Sequence, residues 1–119
     1  MRDRARQRAV TFDVIDDTLV RTVAFPFSDR EGYIHRCTRK VYEDVAYAIQ
    51  ERGTSGGEGV TLDSLVEALD APFTQVNVAL EFMKERGCVV TRGRRSYPAS
   101  TCLYEDAMVE YLFLAEAPD

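Results

Sequence analysis

The chain has a single histidine, three cysteines and no apolar run approaching the roughly 20 residues that a membrane span needs. Each scarcity excludes something. Cys37, Cys88 and Cys102 are odd in number and have no CxxC spacing, which fits neither a disulfide framework nor a zinc site. With His35 the one imidazole, a structural metal site would rest on carboxylates, so no metal and no cofactor is expected. The Arg-rich start lacks a following apolar stretch, so a secretory signal is not read there, and the expectation is a reduced, cytoplasmic protein. Basic charge is short overall: the net charge is −5. That is unfavourable for a protein whose whole surface meets nucleic acid.

The basic residues present are clustered. Arg2, Arg4, Arg6 and Arg8 make a basic tail over 1–8, expected to be unstructured. Lys84, Arg86, Arg92, Arg94 and Arg95 make a second cluster. From Ala9 the pattern is strand-like: Val10, Phe12 and Val14 alternate with Thr11 and Asp13, Asp16-Asp17 suits a two-residue turn, and Leu19 to Phe25 continues the β-prone run. A short third strand is read over 33–38. Residues 9–39 are therefore a β-hairpin or meander. Thr38 can cap a helix over 40–52 that Gly53 would end. The segment 54–59 is a flexible Gly-rich loop without the Lys-Ser/Thr of a phosphate-binding loop.

The densest information lies in 60–100. Thr61 caps a helix over 62–69, with Leu62, Leu65, Val66 and Leu69 as its stripe. Pro72 starts a longer helix, Phe73 to Arg86, and Gly87 stops it. A strand, the basic turn Arg92-Gly93-Arg94-Arg95 and a return strand through Pro98 follow. A last helix, Leu103 to Ala115, is apolar on nearly two sides.

VTLDSLVEAL followed by FTQVNVALEFMKERGCVV and RGRRSY resembles the winged helix-turn-helix domains of the MarR and ArsR kind, over about half the chain. The fold class expected is α+β: a winged helix over 40–119, an N-terminal β appendage and a C-terminal helix. The resemblance implies a dimeric DNA-binding transcriptional regulator whose last helix supplies the dimer interface. It assigns Thr74, Gln75, Asn77 and Val78 to base edges or nearby phosphates of double-stranded DNA, and Arg92, Arg94 and Arg95 to phosphates or the minor groove.

Val78, Glu81 and Phe82 argue against this. They put an apolar pair and a carboxylate on the face that should meet DNA. Either the N-terminal hairpin covers Phe82, or Val78 and Phe82 form a surface for a protein partner. The alternative function is thus a winged-helix protein-interaction module without DNA binding. No catalytic constellation is read. Asp13, Asp16 and Asp17 follow turn chemistry, His35 and Cys37 share a strand face without a third orienting group, and Cys88 reads as a small buried hydrophobe.

Overall fold

The alternation of Ala9–Ile15 and Thr18–Ala24 makes strands β1 and β2, and Tyr33–Thr38 makes β3. They form one antiparallel sheet in the order β1-β2-β3. The register sets Phe12 opposite Arg21 and Arg21 opposite His35. The inward face carries Val10, Phe12, Val14, Leu19, Arg21, Val23, Tyr33, His35 and Cys37. On the other face the residues of β1 and β3 are open to solvent, while Val20 of the central strand is buried. In this computed structural model the described residues are 6–54 and 57–116. The expected unstructured tail lies outside them for residues 1–5, and the expected flexible loop for Ser55 and Gly56.

Helix α1, Arg39–Thr54, follows β3 directly, and Thr38 Oγ1 accepts from the Val41 N–H at 3.3 Å. Gly53 does not end it, contrary to the sequence expectation. The helix runs through this position, where a Cβ would come within 2.3 Å of the Pro98 ring. The glycine serves a close approach of helix to strand, not a cap.

Helix α2 spans Leu62–Leu69, with a reciprocal cap between Thr61 and Ser64: each backbone N–H is taken by the other's hydroxyl. Asp70 closes it in the left-handed region. Helix α3 spans Phe73–Glu85 and stops at Gly87, whose φ of 78° suits a residue without a Cβ. Val89–Arg92 (β4) and Arg95–Pro98 (β5) form an antiparallel hairpin, and Val60 bridges Ser96 beside it. Helix α4 spans Leu103–Ala115.

The molecule is thus an α+β fold of four helices and two small antiparallel sheets among the described residues. Its core joins all layers. Leu19 and Cys37 come from the first sheet, Tyr42, Val45 and Ile49 from α1, and Leu65 from α2. Val76, Leu80 and Met83 come from α3, and Leu103, Ala107 and Tyr111 from α4. Leu69, expected in this core, packs against it but is partly exposed. Buried Tyr42 donates its hydroxyl to the Ala107 carbonyl at 2.6 Å, tying α1 to α4 without leaving a polar atom unpaired. Among the described residues no helix is long and apolar enough to cross a membrane.

Candidate interaction surfaces around the third helix

Helix α3 is apolar on two sides, and both are covered. Val76, Ala79, Leu80 and Met83 face the helical core. Val78 and Phe82, one turn apart on the side that DNA or a partner would have to reach, are also fully buried. The Phe82 ring lies 5.2 Å from Phe12 of β1 and 5.9 Å from Tyr42, and the Arg86 guanidinium stands 5.1 Å over it. The three-stranded sheet is therefore the cover: β3 packs most closely on α3 and β2 adds to it, while α1 and α2 hold the opposite side.

Polar groups fix the sheet in place. Gln75 Oε1 accepts from the Thr38 backbone N–H at 3.0 Å. Arg21, only 4 % exposed, points from β2 into the interface. Its Nη1 donates to Glu81 Oε1 at 2.6 Å and its Nη2 to His35 Nδ1 at 2.6 Å. A guanidinium has no acceptor atom, so His35 accepts at Nδ1. Arg21 Nε is buried without a partner. A buried cation is tolerated only when paired, and Glu81 is its carboxylate. The sequence reading missed Arg21, although alternation in Leu-Val-Arg-Thr-Val places it inward between Leu19 and Val23.

The residues nominated for DNA are thereby separated. Thr74 is exposed and Asn77 half-buried, Gln75 is engaged by Thr38, and Val78 is inside. Val78 has no path to a base in this arrangement. Arg92, Arg94 and Arg95 are exposed on the hairpin. Arg92 lies 5.7 Å over the Tyr97 ring and Arg95 donates to the Glu58 carbonyl at 3.3 Å. Among the described residues, none of the three has a carboxylate partner within ion-pair distance.

The smaller constellations have structural roles. Asp16 and Asp17 occupy the β1–β2 turn with φ of 52° and 58°, and Asp17 accepts from Arg39 at 3.3 Å and from the Tyr111 hydroxyl at 3.1 Å. Asp13 accepts from the Val14 N–H at 2.9 Å. The Cys37 thiol is buried and donates to the Thr38 carbonyl. Burial pushes it up to about 12. Burial, with the nearby charges of Glu110 and Asp106, pushes the Cys88 thiol up to about 11, against the opposing pull of Arg86. Neither is a thiolate at neutral pH.

Two other surfaces stand out. Between α1 and α4 a groove of about 470 Å³ is bounded by Glu43, Asp44, Tyr47, Gln50, Tyr104 and Glu105. Two of its acids are already held by Arg39 and Lys40 in i,i+4 pairs. On α4, Val109 and Phe113 are each 64 % exposed, with Leu112 beside them. Comparison with family models, with curated proteins and with solved structures found no match for this chain.

Proposed function

We propose that residues 40–98 are a winged helix used as a protein-interaction module, its third helix serving as the platform for the N-terminal sheet. Support for the winged helix comes from the order α1, Val60 bridge, α2, α3, β4, β5. The Val60–Ser96 bridge adds a third strand position to the hairpin. The burial of Val78 and Phe82 under β1–β3 counts against the DNA reading and closes the same face to a partner, so the module reading is carried by the exposed apolar patch of Val109 and Phe113 on α4. A helix reads the major groove only when its outward face can enter that groove. Here that face is under a sheet held by the pairing of buried Arg21 with Glu81.

The second reading, a dimeric DNA-binding transcriptional regulator, is favoured by the exposed wing arginines and Thr74. Potential at contact range is set by charges within about a Debye length, roughly 8 Å in physiological salt, so the local charge of the wing outweighs the net charge there.

Fluorescence anisotropy with labelled duplexes at low salt separates the two. The module reading expects no sequence preference, and no change in any residual binding when Asn77 is replaced by Ala. Sequence-specific binding that Asn77→Ala weakens on one site only, by ~1–3 kcal/mol, would overturn it in favour of the regulator.

A further inference from the structure

Strand β1 is an outer strand. β2 pairs with it on one side, and among the described residues no strand pairs on the other. The turn fixes which backbone groups face outward. Asp16 and Asp17 both have positive φ, as a two-residue primed turn requires, so the flanking Ile15 and Thr18 form a hydrogen-bonded pair. Counting back by twos, Thr11 and Asp13 also bond to β2. Val10, Phe12 and Val14 turn their N–H and C=O groups away from it. The bond from Val14 N–H to the Asp13 carboxylate agrees with this phase. The outward groups of Val10 and Phe12 have no partner among the described residues.

Natural edge strands are usually blunted by Lys, Pro or a bulge. Ala9–Ile15 contains no Lys or Pro, and its register with β2 is unbroken. A groove of about 250 Å³ runs alongside, lined by Arg8, Val10, Phe12, Glu81, Lys84 and Glu85.

We infer that this edge pairs with β1 of a second copy, antiparallel about a two-fold axis at Phe12. That centring brings all the outward residues of both copies into register, with the Val14 N–H leaving the Asp13 carboxylate to bond across. Phe12 lies opposite Phe12, Val10 opposite Val14, and Thr11 opposite Asp13. It also sets Arg8 of each copy opposite Asp16 of the other. The Asp16 carboxylate has no partner among the described residues, and Arg8 is held loosely, 3.9 Å from Glu81 and 3.4 Å from the Tyr33 hydroxyl, contacts it would exchange for Asp16. A chain of net charge −5 needs such local complementarity to self-associate, and the symmetry supplies it twice.

The exposed face of α4, which the sequence nominates for a dimer, lacks it. α4 carries Glu105, Asp106 and Glu110 and no Lys or Arg of its own; Glu110 is taken by Arg86 at 3.3 Å, so a symmetric contact there offers Glu105 and Asp106 no cation from the helix. The β1 pairing uses only residues 8–16 and is independent of the winged-helix reading.

The experiment is sedimentation over a wide concentration range, with two variants and an amide-exchange readout. Val10→Pro removes an outward N–H without removing a bond to β2. Val109→Asp with Phe113→Asp charges the α4 face. The wild-type chain is expected to dimerise, more weakly as salt rises. Val10→Pro should raise the dissociation constant at least about tenfold with an unchanged circular dichroism spectrum, and the α4 variant should dimerise as wild type does. In wild type, exchange at the Val10 and Phe12 amides should slow as concentration rises. A wild-type chain that stays monomeric throughout overturns the inference, and so does a dimer that only the α4 variant abolishes. If Val10→Pro does not fold, exchange decides: no concentration-dependent protection at Val10 and Phe12 overturns the pairing.

Discussion

Removing Glu81 should harm this protein more than removing the charge it balances. Arg21 is buried and Glu81 keeps 31 % of its side chain in water. Deleting one partner of a buried pair leaves an uncompensated charge, at a cost of ~3–5 kcal/mol. Water reaching the Glu81 side screens part of that, so Glu81→Ala is expected to cost about 2–3 kcal/mol. Arg21→Met acts differently. It leaves Glu81 at the edge with solvent and Arg8, fills a similar volume, and removes the buried Nε that has no partner. Relieving such a group is worth about 1–3 kcal/mol. That offsets the lost hydrogen bonds, and the net change is expected to lie within about 1 kcal/mol of wild type. The double variant should then resemble Arg21→Met alone, because Glu81 has nothing left to balance. Urea denaturation followed by far-UV circular dichroism measures all three, with unchanged slopes as the check on comparability. Arg21→Met costing as much as Glu81→Ala would refute the argument, since the buried cation would then not be what Glu81 compensates.

Leu80→Ala, at a site only 3 % exposed, should cost ~2–5 kcal/mol in the same assay. Stability should also fall in alkali. The Cys37 and Cys88 thiols stay protonated in the folded chain to about 12 and about 11, whereas unfolded thiols ionise near 9.0. Their contribution is therefore complete below the unfolded value and is lost as pH rises through the folded ones, which urea midpoints at pH ~8 and ~10.5 would reveal. A thiol reagent at neutral pH should label exposed Cys102 first and reach Cys37 and Cys88 only on unfolding. If the wing arginines do hold DNA, Arg94→Ala with Arg95→Ala should weaken all duplexes alike and flatten the salt slope by ~0.9 per lost phosphate contact.

The elements were legible because each end carries a local signal. Thr61, Pro72 and Gly87 bound α2 and α3, and Asp16-Asp17 turns the first hairpin, all through backbone preferences that act over a few residues. Gly53 was misread because a glycine needed for tertiary approach looks, in sequence, like one needed for a cap; the Pro98 ring that explains it is 45 residues away. Leu80 and Met83 could be assigned inward from periodicity alone. Cover by the hairpin is legible only for Phe82, and only as one of two options, since an apolar residue on an open face says that something covers it and not what. Arg21 was the missed clue: a charge on the inward face of a strand demands a buried counter-charge, and Glu81 on the wrong face of α3 was the other half.

The contact between sheet and α3 joins residues far apart in the chain, with Arg21 and Glu81 60 positions from each other. During synthesis the strands emerge first, yet the helix they rest on is made much later. A short antiparallel sheet without a packed face is at best marginally stable in water. The nascent chain therefore carries Val10, Phe12, Val14, Leu19 and Val23 exposed until residue 85 has cleared the ribosome. In that interval β1 is open on its edge and on its face together, so aggregation and chaperone capture should depend on translation speed across 39–85 more than on the stability of the finished fold.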